Sequence, residues 1–259
     1  MIDSVAPGRS ATQSSVRVWH ALLLCLISAA GAAWIQTGGG EVAVSDLRWE
    51  TPSGHMMSAL LFRPVSATAE SPAPAIVVSH GWFNNREMQD LNFVELSRRG
   101  YVTLSIDMYG HGNSEALPRA ELMKRGIGMY DAVELLAALP YVNRDQIGVS
   151  GHSNGAMAAN LSVAEDNLAE DRLIAAVLLV DRDPVYTDAE TREHANVYGG
   201  RDVGVIQAEY DEFFFRSRGP DGAVLTPPRE YLTTPNAQSF LHFGVDPETL
   251  STRREGRRL

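Results

Sequence analysis

The chain has 259 residues, of which 44% are hydrophobic and 21% are charged. This composition excludes a disordered tail, a collagen-like rod and a disulfide-stapled miniprotein, and the length suffices for one α/β domain with a sizeable core. The net charge of −10 argues against nucleic acid as a partner, because neutralising phosphates requires a basic surface. Cys25 is the single cysteine, which excludes an internal disulfide and a cysteine-ligated zinc site.

The N-terminus carries an apolar run, Val18–Ile35, that contains no Asp, Glu, Lys or Arg. Arg9 and Arg17 precede the run, and small residues fill its end, which is the order found in a secretory signal peptide. An uncleaved signal anchor is the alternative, with residues 18–35 in the membrane, and a buried core helix is the third reading. The flanking charges favour an N-terminus inside and a folded domain outside the cytoplasm. We therefore divide the chain into residues 1–38, a signal peptide or membrane anchor, and a folded domain over residues 39–259.

The domain alternates short apolar runs, rich in β-branched residues, with helical stretches. Two runs at its start predict an antiparallel hairpin, and five later runs predict strands of a parallel sheet. The fold class predicted is therefore α/β, a doubly wound, mostly parallel sheet with an antiparallel start. The predicted hairpin strands are Glu41–Glu50 and Met56–Arg63; the later strands are Ala75–Ser79, Tyr101–Ile106, Gln146–Ser150, Leu173–Val180 and Val203–Ala208; the helices are Arg86–Arg99, Glu121–Leu139 and Asn154 to about Val163.

The pentapeptide G-H-S-N-G, residues 151–155, directly follows one predicted strand and begins a predicted helix. This strand–turn–helix setting is typical of a nucleophile elbow, which holds its serine, here Ser153, in a strained backbone conformation. Glycines two residues to either side are needed because side chains there would collide with the strand and helix. The N-terminus of the helix from Asn154 directs N–H groups and a positive dipole end towards an oxyanion.

Two further motifs also follow predicted strands. In His80-Gly81-Trp82, the N–H of Trp82 is a candidate second donor to an oxyanion, beside the N–H of Asn154, and we interpret His80 as bracing this loop. In D-M-Y-G-H-G-N-S, residues 107–114, we interpret Asp107 as an acceptor for backbone N–H groups and His111 as a structural residue of the turn.

These three motifs, H-G-W, D-x-x-G-H-G-x-S and G-H-S-x-G, occur in this order, each after a strand, and together resemble the α/β-hydrolase superfamily. The similarity runs from about Glu41 to Asp211. It implies an α/β-hydrolase domain over residues 39–259 and a serine–acid–histidine triad in chain order, with Ser153 as the nucleophile. It also implies oxyanion donors at the backbone N–H groups of Trp82 and Asn154, and neither a metal nor an organic cofactor.

The resemblance places the catalytic acid after the second strand beyond the elbow, where Asp211 is our choice. Glu209 and Glu212 are close alternatives, and Asp181 and Asp183 mark the other possible location.

His242 is the histidine that follows Asp211, and we assign it the role of general base. Its surroundings depart from the family pattern, because a helix is predicted from Arg229 to about Ser239 and we identify no final strand before it. Only 17 residues follow His242, so either the C-terminal end is abbreviated or the last strand and helix are missing, and Ser251–Leu259 is interpreted as a solvated tail. His194 is an alternative base that comes early in the family order.

Only 22 residues separate Val180 from Val203, which leaves no room for a large helical cap. Phe213–Phe215 and Trp82 are candidates for lining an acyl pocket. The sequence thus predicts an exported or membrane-anchored serine hydrolase that cleaves carboxylic esters, thioesters or peptide-like bonds of small-molecule substrates through an acyl-enzyme. A non-catalytic or truncated protein of the same fold is the alternative, and an accessory domain on a membrane anchor is a third.

Overall fold

The computed structural model describes residues 11–180, 198, 201–206, 239–245 and 252–258 of the chain. The described strands are β1 (Val42–Glu50), β2 (Met56–Pro64), β3 (Ala73–Ser79), β4 (Val102–Asp107), β5 (Val142–His152), β6 (Ile174–Val180), β7 (Asp202–Ile206), β8 (Ser239–Val245) and β9 (Thr252–Arg258). The helices are α1 (Ala11–Gln36), α2 (Asp90–Arg98), α3 (Arg119–Leu122), α4 (Met129–Ala137) and α5 (Asn154–Leu168), with short 3-10 turns at Gly38–Gly40, Arg86–Gln89 and Lys124–Gly128.

The strands form one sheet in the order β1-β2-β4-β3-β5-β6-β7-β8-β9. β1 and β2 are an antiparallel hairpin, and β2 is also antiparallel to β4. All neighbours from β4 to β8 run parallel, and β9 returns antiparallel to β8. Every residue of β4 is buried, as expected for a strand covered on both faces. The predicted fold, a doubly wound, mostly parallel α/β sheet with an antiparallel start, is confirmed.

The predicted helix over Glu121–Leu139 is wrong in its first half. Four consecutive residues, Arg125 to Gly128, have positive φ angles and form a left-handed turn between α3 and α4. A Cβ atom on Gly126 would lie 2.0 Å from the Ser162 hydroxyl, so the close packing of this turn on α5 requires glycine. The helix was predicted from helical periodicity, which depends on local sequence and carries no information about this tertiary contact.

The C-terminal part of the sheet also differs from the sequence prediction. Where no strand was expected around His242, β8 pairs in parallel with β7, and where a solvated tail was expected, β9 pairs with β8. A helix was predicted from Arg229 to about Ser239. Ser239 instead lies in β8, and the other residues of that predicted helix lie outside the described residues. A hydrogen-bonding sheet edge stabilises strands whose own sequence preference is weak, and charged side chains are typical of such edge strands.

The N-terminal helix α1 is exposed along residues 15–36 and is not buried in the sheet, so the core-helix reading is wrong. Ser15–Gln36 is long and apolar enough to cross a membrane, with a mean hydropathy of 1.9. This is compatible with both a signal peptide and a signal anchor.

A buried ion pair connects α5 to Arg201, the residue before β7. The Arg201 guanidinium donates to the Asp166 carboxylate at 2.5 Å, and both side chains are almost inaccessible to solvent. The same carboxylate accepts the backbone N–H groups of Leu173 and Ile174 at 2.8 and 3.2 Å, where β6 begins. Asp166 therefore fixes the C-terminal end of α5, and with it the axis of the helix that follows Ser153.

We predict that Asp166→Asn lowers the free energy of unfolding by about 3–5 kcal/mol, because it leaves Arg201 buried without its counter-charge. Urea denaturation of the full chain in detergent measures this change. Asp171→Asn is the matched control, since Asp171 forms an exposed pair with Arg144 and should change stability little. Equal effects of the two substitutions would contradict the structural role given to Asp166.

Candidate active site

The candidate nucleophile, Ser153, lies in the turn between β5 and α5, at the end of the sheet where the parallel strands finish. Its backbone has φ 53° and ψ −107°, an unfavourable conformation for a residue with a side chain. Its N–H donates to the Val180 carbonyl at 2.9 Å, and its own carbonyl accepts the Met157 N–H at 3.1 Å. Ser153 is half-buried, so part of this turn is accessible to solvent. The strained elbow predicted from the sequence is present.

The two glycines of the motif are required by contacts of the backbone. A Cβ atom on Gly151 would lie 2.1 Å from the carbonyl carbon of Gly155, within the turn itself. A Cβ atom on Gly155 would lie 2.5 Å from the Ser79 carbonyl oxygen and 2.7 Å from that of His80. The start of α5 therefore packs directly on the end of β3, which brings the elbow beside the His80-Gly81-Trp82 loop.

The two candidate oxyanion donors come from these neighbouring segments. Asn154 is the first residue of α5, and the first N–H groups of a helix have no acceptor within it. Trp82 follows Gly81, where the imidazole Nδ1 of His152 lies 3.1 Å from the position that a Cβ would take. Both backbone N–H groups thus belong to segments in contact at the same edge of the sheet. The side chain of Asn154 is buried, and among the described residues its Oδ1 has no hydrogen-bond partner.

His80 stabilises the His80-Gly81-Trp82 loop, which we call the oxyanion loop after its proposed role, from inside the protein. It is fully buried, its Nδ1 donates to the Gly81 carbonyl at 2.8 Å, and its Nε2 accepts the Met108 N–H at 3.3 Å. These two contacts need the neutral ring, with the proton on Nδ1. Burial lowers the pKa of His80 below its ordinary value of 6.5, with the nearby His111 acting in the same direction, against the Gly81 hydrogen bond, Asp107 and Glu87, which raise it.

The acidic turn after β4 also has a structural role, as expected. The Asp107 carboxylate accepts the N–H groups of Arg86 at 2.9 Å and Asn113 at 3.0 Å, and Gly112 packs directly on it. His111 donates from Nδ1 to the Tyr109 carbonyl at 3.2 Å when that nitrogen carries the proton. Asp107 and His111 therefore hold the turn that lies beside the oxyanion loop.

Trp82, named from the sequence as a candidate for lining an acyl pocket, forms an exposed aromatic pair with Phe83, which the sequence prediction did not include. Phe83 is 97% exposed with a φ angle of 62°, and its ring centroid lies 6.2 Å from that of Trp82, which is 55% exposed. The Trp82 ring also lies 5.4 Å from the His111 ring. The signal was available, because Phe83 follows Trp82 directly in the oxyanion loop. The other candidates for an acyl pocket, Phe213–Phe215, lie outside the described residues.

The predicted acid and the alternative base cannot be placed relative to Ser153. Asp211, Asp181, Asp183, Glu209, Glu212 and His194 all lie outside the described residues. The backbone of His242 is placed: it lies within β8, paired with Val205 of β7, and not on a loop beyond the strand. Since β8 is three strands from β5, about 14 Å separate them along the sheet. The structure thus brings the turn at Ser153 and the His80-Gly81-Trp82 loop together, while the catalytic roles of Ser153, Trp82, Asn154, Asp211 and His242 stay predictions.

Comparison with known proteins gives one family match. The family model described as X-Pro dipeptidyl-peptidase (S15 family) matches residues 53–219, which include all three motifs. A search of curated proteins finds no match.

Similar solved structures include hypothetical protein PA2218 from Pseudomonas aeruginosa, with 29% identity and a TM-score of 0.46, covering 54% of this chain and 43% of that one. α/β hydrolase GrgF from Penicillium sp. sh18 has 15% identity and a TM-score of 0.49, covering 65% and 81%. Epoxide hydrolase A from Mycobacterium thermoresistibile has 22% identity and a TM-score of 0.45, covering 57% and 42%. The chain thus spans less than half the length of the first of these proteins.

We predict that Gly155→Ala displaces the elbow, because the new methyl group would overlap the Ser79 and His80 carbonyls. The expected result is a loss of about 1–3 kcal/mol in unfolding free energy, measured by urea denaturation, together with reduced reactivity of Ser153. Gly148→Ala is the matched control, since a Cβ there has its nearest neighbour at 3.5 Å. If both variants behave like the unchanged protein, the packing of α5 on β3 does not constrain the elbow.

We also predict how the free energy of unfolding depends on pH through His80. The lowered pKa of His80 means that, between pH 6.5 and its folded-state pKa, the unfolded chain binds a proton that the folded protein does not. The contribution of neutral His80 to the free energy of unfolding is therefore complete above about pH 6.5 and is lost as the pH falls towards the pKa of the folded state. His80→Asn, which keeps a donor for Gly81, should weaken this acid dependence in urea unfolding series from pH 8 to 5. An unchanged pH dependence in the variant would contradict the assignment.

Proposed function

The chain belongs to the X-Pro dipeptidyl-peptidase (S15) family and is a hydrolase of the α/β-hydrolase fold; from this premise we propose that it is a serine hydrolase that works through an acyl-enzyme. The observation that carries the proposal is Ser153 itself. It stands half-exposed on a strained turn, with the first N–H groups of α5 behind it and the oxyanion loop packed beside it. A strained backbone at this kind of turn is expected where a hydroxyl must be presented to a substrate.

In the proposed reaction, the Ser153 hydroxyl oxygen attacks the carbonyl carbon of an ester or peptide-like bond while a histidine takes its proton. The carbonyl oxygen becomes an oxyanion, which accepts hydrogen bonds from the N–H groups of Trp82 and Asn154. Each such donor typically contributes about 2.7–4 kcal/mol to lowering the barrier. The tetrahedral intermediate collapses, the protonated leaving group departs, and water then releases the acyl group from Ser153.

We propose His242 as the base and Asp211 as the acid that orients it, on the chain order that the family resemblance implies. Both ring nitrogens of His80 are engaged in buried contacts with backbone groups, so we do not propose it as the base. His194 is the competing base, and Glu209, Glu212, Asp181 and Asp183 are the competing acids.

We propose small-molecule carboxylic esters and peptide-like amides as substrates, with thioesters as a further class. The exposed Trp82–Phe83 pair supports an apolar acyl group, because it offers ring surface beside the proposed oxyanion donors. The family description adds a specific candidate, a bond that follows an X-Pro dipeptide. The acidic net charge supports the absence of nucleic acid among the partners.

The second candidate is a non-catalytic or truncated protein of this fold. The position of His242 favours it, since this residue lies within β8, three strands from the elbow.

We also propose that the protein is exported or membrane-anchored, with its hydrolase domain outside the cytoplasm. The supporting features are the exposed apolar helix α1, the arginines before its apolar run Val18–Ile35, Arg9 and Arg17, and the acidic residues Glu41 and Asp46 after the helix.

We predict that a fluorophosphonate probe labels the full chain and that Ser153→Ala abolishes the labelling, because the probe reacts only with an activated serine. Ser45→Ala, at an exposed position of β1, is the control and should label normally. Hydrolysis of a short-chain nitrophenyl ester and of an X-Pro amide, measured in parallel, should fall about 10⁴-fold or more in Ser153→Ala.

The base is tested in the same assays with His242→Gln and His194→Gln. Loss of labelling in His242→Gln alone supports the proposed triad, and loss in His194→Gln alone transfers the role to His194. Absence of serine-dependent labelling in the unchanged protein would contradict the proposed chemistry and support the non-catalytic alternative.

A further inference from the structure

The junction between α1 and the sheet is an ordered, hydrogen-bonded turn. The Thr37 hydroxyl and N–H both donate to the Ala33 carbonyl, at 2.8 and 3.0 Å, and cap the end of α1. The Thr37 carbonyl in turn accepts the N–H groups of Gly40 and Val42, each at 3.0 Å. Three glycines with positive φ turn the chain between these points. A continuous set of hydrogen bonds therefore connects the helix to the first residue of β1.

The small residues near the end of the apolar run, Ala29–Ala33, lie inside α1, which continues to Gln36. Proteases cut preferentially where the backbone is exposed in a loop and can extend. A continuous helix that ends in a capped turn is compatible with retention of α1 as an anchor.

The junction lies at one particular end of the sheet, which we call the amino edge, the end where strands β3 to β6 begin. Val42, the first residue of β1, pairs with Pro64 at the end of β2. The end of β2 lies beside the start of β4, because Phe62 pairs with Thr103. The Arg98 guanidinium, at the C-terminal end of α2 just before β4, donates to the carbonyl of Ile35 in α1. Two independent elements therefore hold the end of α1 at the amino edge.

Ser153 lies at the opposite end, which we call the carboxyl edge. Ser79 of β3 pairs with Gly151 of β5, two residues before the nucleophile. The six residues of β4 alone separate the two edges by about 20 Å, at about 3.3 Å per residue.

The surface of the amino edge has the side chains that a bilayer interface accepts. Val65 and Leu168 are exposed apolar residues there, Tyr101 is partly exposed, and Arg98 and Arg99 are exposed cations next to the junction. The same edge also carries acidic residues, namely Glu70, Glu170 and Asp171. Its net charge is therefore low, and its position against lipid depends on α1.

We propose that α1 is retained as a membrane anchor and that its capped junction places the amino edge on the bilayer surface, with the edge that carries Ser153 facing the aqueous phase. The inference rests on the proposed location of the protein and is independent of the proposed chemistry. Substrates then enter from water, on the side of the sheet away from lipid. The exposed Trp82–Phe83 pair is correspondingly a surface for a soluble substrate.

The test uses the full chain with Cys25→Ala, which removes the single native thiol, reconstituted in phosphatidylcholine vesicles that contain a headgroup spin-labelled lipid. Two matched variants each add one exposed cysteine: Ala69→Cys in the loop after β2, at the amino edge, and Ala116→Cys in the loop after β4, at the carboxyl edge. A membrane-impermeant maleimide fluorophore labels only outward-facing domains. We expect at least twofold stronger quenching of the label at position 69 than at position 116.

Quenching at position 116 equal to or stronger than that at position 69, or absence of quenching at both, would overturn the proposed orientation. An intact mass that lacks α1 after expression in membranes would overturn retention of the anchor. Fluorophosphonate labelling of Ser153 on the same vesicles reports the chemistry separately, so failure of the orientation and failure of the proposed function are distinguishable.

Discussion

The close approach of two backbone segments is the constraint on which the candidate active site depends. The start of α5 lies so near the end of β3 that a methyl group on Gly155 would overlap two carbonyl oxygens. This contact fixes where α5 begins, and so forces the chain to turn sharply at Ser153 with a positive φ angle. The strain is maintained by the surrounding packing, since β5 and its neighbours on both sides are joined along their length. A strained backbone of this kind is maintained only where the surrounding structure over-determines it, which is the basis of the role proposed for Ser153.

Around this contact, buried polar groups hold the loops in place. His80 connects its own loop to Met108, and Asp107 connects the segment from Arg86 to the turn at Asn113. Because these groups satisfy backbone donors and acceptors, the ends of β3 and β4 are ordered without regular secondary structure. The oxyanion loop is thereby supported from beneath, while its aromatic side chains remain exposed to solvent. The inner side of the loop is thus held by buried hydrogen bonds, and its outer side is accessible to solvent.

The location of α1 and the location of Ser153 follow from one topology. An antiparallel hairpin precedes the parallel strands, so β1 begins at the end of the sheet opposite to the one where β3 and β5 finish. A membrane helix fused before β1 is consequently joined to the edge away from Ser153. The separation needs no special linker, because the length of a strand provides it.

The sequence by itself determined the central strands, the sharp turn at Ser153 and the position of the His80-Gly81-Trp82 loop, because apolar runs and glycine spacings record local requirements of backbone and burial. It did not determine the left-handed turn at Arg125–Gly128, where packing against α5 overrides helical periodicity. Nor did it determine β8 and β9, whose pairing depends on a sheet edge made by distant residues. The position of His242 within a strand, and the placement of α1 at the amino edge, were likewise decided only by tertiary structure. Such features arise from contacts between residues far apart in the chain, which no local pattern contains.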